Sequence, residues 1–141
     1  MQCLYDYAIV RVVPRVERQE FINAGVIVSC QKQDFLAAHI ELDEARLTAL
    51  APDIDLDAVR ANLASIPLIC LGGEAAGPIG RLSQRERFHW LVAPRSTMIQ
   101  TSAVHLGRSA DPRTALENLL DTMVRPRSRQ CRPGTSESGP P

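Results

Sequence analysis

The segment from Tyr5 to Cys30 constrains the fold more than any other part of the chain. It contains two apolar runs, Tyr5–Val13 and Ala24–Cys30, whose β-branched and aromatic residues predict two neighbouring strands. The second run is apolar on both faces, which is typical of a central strand covered on both sides. Gly25 inside this run indicates a bulge or the close approach of another backbone. Pro14 ends the first run, because proline cannot donate a hydrogen bond to a sheet.

The remaining sequence predicts further strands and helices in one domain. A third strand is predicted at Phe35–Leu42, where Leu36, Ala38, Ile40 and Leu42 share one face and His39 and Glu41 share the polar face. Two more strands are predicted at Arg87–Ala93 and Met98–Leu106, and helices are predicted after Asp43, from Asp55 to Pro67, and after Asp111-Pro112. The sum is an α+β fold, an antiparallel sheet of about five strands covered by about three helices.

The C-terminal residues differ in composition from the rest of the chain. Apolar periodicity ends after Met123, and the sequence from Arg125 onward is rich in proline, serine, glycine and arginine. Such a segment cannot bury enough apolar surface to become ordered. We therefore predict a single domain over residues 1–124 and a disordered tail over residues 125–141.

Charge and cysteine content narrow the function classes. The 16 basic residues equal the 16 acidic ones, which disfavours a strongly basic nucleic-acid binder but leaves a local contact through the tail arginines open. No apolar run reaches the ~20 residues that span a bilayer, and no signal peptide is visible, so a cytoplasmic protein without membrane contact is expected. The four cysteines and three histidines lack the spacing of metal ligands, so neither a metal nor a cofactor is predicted.

The polar connection between the first two strands is the first candidate site. Glu17 and Glu20 form either a carboxylate pair for acid–base work or cation binding, or part of a salt-bridged loop. Arg15 and Arg18 lie beside them and are expected to lower the pKa values of both carboxyl groups. This favours the salt-bridged loop, which is the structural alternative.

The turn Pro94–Thr97 and the histidines are the second candidate site. Arg95 and Ser96 could hold an anion, although an ordinary polar turn explains the same residues. His89 and His105 fall in the two predicted strands that this turn joins, so they could face each other in a hairpin. With Arg95 they would form an acid–base site for phosphodiesters, but structural roles for both histidines are favoured because no third partner is evident.

Several short motifs together resemble the DUF3037 family, a bacterial domain of unknown function. The motifs are Tyr5-Asp6-Tyr7, Arg11-Val12-Val13-Pro14-Arg15, Glu17-Arg18, Glu20-Phe21, Asn23-Ala24-Gly25-Val26, Arg87-Phe88-His89-Trp90-Leu91, Pro94-Arg95-Ser96-Thr97, Ser102, His105 and Gly107. The resemblance covers roughly Tyr5 to Val124. It implies a small bacterial protein with no established activity. Proteins of this kind occur near toxin-type kinase genes, so the resemblance also implies an accessory role and makes a kinase-type protein one expected partner.

Two function classes follow from these observations. The favoured one is a non-catalytic binding or accessory module whose arginine-rich sheet edge holds a partner protein or an anionic ligand, through Arg11, Arg15, Glu17, Glu20, Asn23, Arg95 and Ser96. The alternative is a small metal-independent enzyme acting on phosphate esters or RNA, with His89 or His105 as acid–base and Arg95 as anion clamp. A separate prediction is that the polar connection and the turn form one surface, in which Arg15 and Arg95 flank a shallow site.

Overall fold

The computed structural model describes residues 2–95 and 97–126. Within these residues the strands are β1 (Cys3–Val12), β2 (Ile22–Cys30), β3 (Phe35–Ile40), β4 (Ile99–Thr101) and β5 (His105–Ser109). They form one antiparallel sheet in the order β3-β2-β1, with β4 and β5 both paired to the outer side of β1. The predicted α+β class is therefore confirmed.

The centre of the sheet matches the sequence pattern closely. β2 is buried along nearly its whole length, as its doubly apolar pattern predicts. The register between β1 and β2 shifts between Val10 and Arg11, where Gly25 faces Val10 and Asn23 faces Arg11. A Cβ atom on Gly25 would lie 2.8 Å from the backbone oxygen of His39. Of the two alternatives predicted for this glycine, a bulge or a close backbone approach, the close approach is confirmed at Gly25 itself, and the register shift lies beside it.

The single strand predicted at Met98–Leu106 is wrong, because this segment forms β4 and then β5 with a break between them. Ser102 occupies the break and is buried. Its backbone N–H donates to the oxygen of Ile9 at 2.8 Å, and its hydroxyl oxygen accepts from the N–H of Ile9 at 2.9 Å. A side chain thus replaces the backbone partner that a continuous strand would offer to β1.

The described helices are α1 (Glu44–Leu50), α2 (Leu56–Leu71), α3 (Gln84–Val92) and α4 (Pro112–Leu119), and α4 continues into a π-helical turn at Leu120–Val124. The carboxylates of Asp43, Asp55 and Asp111 accept backbone N–H groups at the first turns of α1, α2 and α4, which confirms the three predicted helix starts. Short 3-10 segments lie at Val16–Arg18, Gln31–Gln33 and Glu74–Arg81.

Two sequence predictions about helices are wrong. Pro67 lies inside α2 instead of ending it, because the apolar stripe continues beyond it and buries Ile69 and Cys70. The segment Arg87–Ala93 is predominantly helical in α3 instead of forming a strand. Phe88 and Leu91, three positions apart, are its buried residues, so the spacing follows a helical face.

The helices cover both faces of the sheet. On one face Val10, Val12 and Ile27 pack with residues of α1, α2 and α3, and on the other face Ile9, Val26 and Val28 pack with α4 and its π-helical turn. Among the described residues no single helix is long and apolar enough to cross a membrane. The bent pair of α2 and the segment Glu74–Arg81 meets that test by length and composition only when the two are taken together.

Arg125 differs from its predicted place in a disordered tail. Its guanidinium Nη2 lies 2.6 Å from a carboxylate oxygen of Glu41, and Nη1 lies 2.6 Å from Asp121. Its backbone N–H also donates to the oxygen of Leu120. The packed part of the chain thus extends past Val124, and residues 127–141 lie outside the described part.

Candidate functional site

The connection between β1 and β2 forms an open hollow at one end of the sheet. Arg15, Glu17, Arg18 and Glu20 line it together with Ala49–Asp53, the segment where α1 ends. Arg18 Nε donates to Glu20 Oε1 at 2.8 Å, and this hydrogen bond lowers the pKa of Glu20. The paired, exposed side chains match the salt-bridged alternative better than an acid–base pair, since a general acid needs a raised pKa.

Arg11 and Asn23 do not line this hollow. They face each other across β1 and β2 at the register shift, and the guanidinium of Arg11 lies 4.2 Å from the ring centroid of Phe21. Asn23 Nδ2 donates to the backbone oxygen of Met123, which ties β2 to the π-helical turn. Within the described residues, Arg11 Nε and Asn23 Oδ1 are buried without a hydrogen-bond partner.

The turn before β4 lies at the same end of the sheet but faces a different hollow. The N–H of Val13 donates to the oxygen of Met98 at 2.7 Å, which places the turn beside the end of β1. Arg95 stacks on Trp90 at 4.3 Å and donates to the backbone oxygen of Trp90 at 2.6 Å. Its guanidinium thus caps the C-terminal end of α3. Ser96 lies outside the described residues.

Arg95 and Arg15 therefore occupy one end of the sheet without lining one site. Arg95 lines a cleft of about 290 Å³ between α2, α3 and β4, whereas Arg15 lines the hollow beside α1. The guanidinium of Arg95 also donates hydrogen bonds to the backbone oxygens of Leu91 and Trp90 in α3. An anion would have to compete with these oxygens for the same N–H groups.

The expected pairing of the two histidines is wrong. His89 is exposed on α3, while His105 is on β5, opposite Tyr7 of β1, with the two rings 5.4 Å apart. The turn that was expected to join two strands joins a helix to a strand, so the two imidazoles are not hairpin neighbours. Among the described residues, no group of three His, Cys, Asp or Glu side chains could hold a metal ion.

A basic cleft lies at the opposite end of the sheet, where β1 begins and β2 ends. It has a volume of about 430 Å³. We call it the basic cleft, and it is lined by Gln2, Cys3, Leu4, Tyr5, Asp6, Ser29, Gln31, Lys32, Arg85, Leu106 and Arg108. Three elements and one 3-10 segment supply its charged side chains: Asp6 from β1, Lys32 from Gln31–Gln33, Arg85 from α3 and Arg108 from β5.

One ion pair sits at the base of the basic cleft. Arg85 Nη1 lies 2.9 Å from Asp6 Oδ2 and 3.5 Å from the hydroxyl of the buried Ser29. Asp6 is the only acidic side chain in the lining, and Arg85 offsets its charge. Lys32 and Arg108 are exposed, and neither has an acidic partner within the described part of the chain. The cleft therefore has an excess of positive charge.

The apolar part of the basic cleft is open to solvent. Leu4 is 56% exposed and Leu106 is 71% exposed. The register pairs Leu4 with Arg108 and Asp6 with Leu106, so these four residues share the sheet face that α3 only partly covers. Two exposed leucines beside free cationic groups can contact a ligand that is both apolar and anionic.

The sequence interpretation missed this cleft for a local reason. With Arg87–Ala93 taken as a strand, Arg85 fell in a loop with no defined position. Ser83 and Glu86 form a capping box, the serine three residues before the glutamate, and this signal starts α3 with Arg85 in its first turn. Recognition of the capping box would have placed Arg85 on a helix, but not its contact with Asp6, which is 79 residues away in the chain.

Comparison with protein families identifies the family of the chain. The family model described as "Protein of unknown function (DUF3037)" matches residues 7–124. Comparison with curated proteins and with solved structures gives no match.

Proposed function

The chain belongs to the DUF3037 family of proteins of unknown function, and from its geometry we propose that it is a non-catalytic binding module that holds an acidic segment of a partner protein in the basic cleft. The observation that carries the proposal is that two largely exposed leucines line the same cleft as three cationic side chains. The leucines are Leu4 and Leu106, and the cationic side chains are Lys32, Arg85 and Arg108. The proposal keeps the binding role expected from the sequence, and it moves the site away from Arg15 and Arg95.

Charge complementarity identifies the chemistry of the partner. The cleft brings three basic side chains together with one acidic side chain that is already paired. Carboxylates are the protein groups that satisfy guanidinium and ammonium donors, and an arginine can bind one through two parallel hydrogen bonds. A segment with several Asp or Glu residues fits this excess of positive charge.

The exposed leucines favour a protein segment over a small anion. Apolar side chains that contribute to an open, polar-rimmed patch are typical of protein–protein contact sites. A free inorganic anion would leave Leu4 and Leu106 in water, whereas an apolar side chain between two carboxylates would cover them. We therefore expect the bound segment to combine acidic and apolar residues.

The geometry supports the enzyme alternative less well than the binding role. It placed His89 or His105 as the acid–base group beside Arg95, yet neither histidine is among the described residues that line the cleft of Arg95, and Arg95 caps α3. The described residues that line the basic cleft include no histidine. A binding role needs only the charges and the apolar surface that the cleft presents.

Charge reversal tests the proposal with a defined probe. The probe is a short fluorescent peptide of alternating glutamate and leucine, and its binding is measured by fluorescence anisotropy. We expect the double variant K32E/R108E to weaken binding by at least about tenfold, because both charges face the anionic probe. The matched variant R15E/R46E reverses two exposed charges outside the basic cleft, Arg15 in the hollow beside α1 and Arg46 on α1 itself, and should bind like the wild type.

Two results would overturn the proposal. One is that the probe does not bind the wild type better than a lysine–leucine peptide. The other is that R15E/R46E weakens binding while K32E/R108E does not, which would return the site to the hollow beside α1. Unchanged melting temperatures in both variants would show that folding is intact.

A further inference from the structure

Two cysteines from neighbouring strands are in contact inside the fold. Cys3 lies at the start of β1 and Cys30 ends β2. The register pairs Asp6 with Ser29, so their neighbours Tyr5 and Cys30 lie on the other face of the sheet. Cys3, two residues before Tyr5, shares that face with Cys30. The two Sγ atoms are 3.3 Å apart.

Cys70, the third described cysteine, lacks this arrangement. Cys70 is buried in α2, and burial raises its pKa to about 12. The pKa of Cys3 is raised too, first of all by its hydrogen bond with Cys30, so the pair differs from Cys70 by its sulfur–sulfur contact and not by its acidity. Cys131 lies outside the described residues. Among the described cysteines, Cys3 and Cys30 are therefore the pair that can react with each other.

We propose that Cys3 and Cys30 form a dithiol site that is converted to an intramolecular disulfide by a low-molecular-weight disulfide of the glutathione class. The thiolate of Cys3 attacks one sulfur of the reagent and releases the first small thiolate, which takes up the proton lost by Cys3. The sulfur of Cys30 then attacks Cys3 and expels the second small thiolate, which takes up the proton of Cys30. In total, two protein thiols are oxidised and one small disulfide is reduced to two thiols.

Exposure sets the order of the two steps. Cys3 is 8% exposed at the start of β1, whereas Cys30 is fully buried. The reagent can therefore reach Cys3, and Cys30 acts as the resolving thiol. The two sulfur atoms must approach each other by about 1 Å to reach the ~2 Å length of a disulfide bond. This is a small shift for Cys3, which is the first residue of β1.

Mass spectrometry of the folded full chain tests this inference. The C131S variant, which removes the cysteine outside the described residues, is incubated with oxidised glutathione at neutral pH without denaturant. We expect a loss of two hydrogens from the intact mass and a crosslinked peptide that contains Cys3 and Cys30. We also expect a melting temperature higher by more than about 5 °C, because the crosslink restricts the unfolded chain, and a reducing agent should reverse the rise.

Variants separate the two steps. In C30S/C131S the reaction should stop at a glutathione adduct on Cys3, while C70S/C131S should behave like C131S. The inference is overturned if C131S keeps both thiols or retains a lasting adduct on Cys3 under native conditions. It is equally overturned if the crosslink appears only in denaturant. The measurement on C131S decides the question even if C30S/C131S does not fold.

Discussion

At the scale of single residues, Ser102 shows how one side chain completes the hydrogen bonding of the sheet. β4 and β5 both pair with β1 on the side away from β2, and on that side Ile9 of β1 has no strand residue opposite it. The hydroxyl oxygen of Ser102 accepts the N–H of Ile9, and the hydroxyl donates to the oxygen of Ala103. A buried backbone N–H without such an acceptor is costly, so this serine has a structural role.

Replacement of Ser102 by alanine should therefore destabilise the protein. We expect S102A to lower the free energy of unfolding by about 1–3 kcal/mol, because the buried N–H of Ile9 loses its acceptor. Urea unfolding measures the change. The matched control is S65A, which removes an exposed hydroxyl from the middle of α2 and should have little effect. Equal stability of S102A and S65A would contradict this role.

Some residues could be assigned from the sequence because their roles depend on near neighbours in the chain. The capping aspartates Asp43, Asp55 and Asp111 act within three residues of themselves, and all three were predicted. Ser102 resembled any polar residue in a strand, since its partner Ile9 is 93 residues away. The contact of Asp6 with Arg85 could not be predicted for the same reason, because the two residues are 79 positions apart in the chain.

At the scale of elements, α3 shows how a short apolar run can be assigned to the wrong type. Phe88, Trp90 and Val92 alternate with polar or smaller neighbours, which is a strand pattern over so few residues. The capping box at Ser83 and Glu86 decides for a helix, and the hydrogen bond from the backbone N–H of Ser83 lowers the pKa of Glu86. Local hydrogen bonds at the start of the element outweigh the alternation within it.

The capping box predicts a measurable contribution of Ser83 to stability. We expect S83A to lower the free energy of unfolding by about 1 kcal/mol, because the N–H of Glu86 loses the hydroxyl acceptor at the start of α3. S83T keeps the hydroxyl and serves as the control, which should retain most of the stability. Thermal unfolding followed by circular dichroism compares the variants. An unaffected S83A would mean that packing of Phe88 and Leu91 alone holds α3 in place.

The apolar stripe of α2 shows the opposite case, in which packing outweighs a local signal. A proline inside a helix costs about 3 kcal/mol and predicts a helix end at Pro67. Ile69 and Cys70 are nevertheless buried against the sheet side of the fold, and their burial offsets that cost. A sequence pattern cannot weigh these two effects without knowing what the helix packs against.

At the scale of the whole molecule, Arg125 joins the end of the described chain by hydrogen bonds to the residue that follows β3. Its guanidinium bonds both carboxylate oxygens of Glu41, which directly follows β3, and also reaches Asp121. The hydrogen bonds from Arg125 lower the pKa of Glu41. A carboxylate whose pKa is lowered by folding adds stability above its unfolded pKa, and that stability is lost as the pH falls through the folded value.

Truncation and pH together test this contact. Removal of the residues after Pro126 should leave the melting temperature unchanged at pH 7. The removed residues are rich in proline, serine, glycine and arginine, a composition that does not support packing. Removal of the residues after Val124, or the single change R125Q, should lower it by a few degrees. The difference between R125Q and the wild type should shrink as the pH falls below 4.5, the ordinary value for glutamate.

The exposed change R46Q is the control for lost charge, and it should leave the melting temperature unchanged at every pH. A destabilisation by R125Q that persists undiminished at low pH would assign the effect to packing of the arginine stem instead of the ion pair.

The position of β1 has a consequence for the synthesis of the chain. β1 pairs with β2 on one side, while its partners on the other side, β4 and β5, begin only at Ile99 and His105. While the ribosome adds the intervening residues, the first strand has an outer edge with no partner, and unpaired edges favour association with other chains. The sheet can close only after β5 has been synthesised, so until then the nascent chain has its future central strand at an edge.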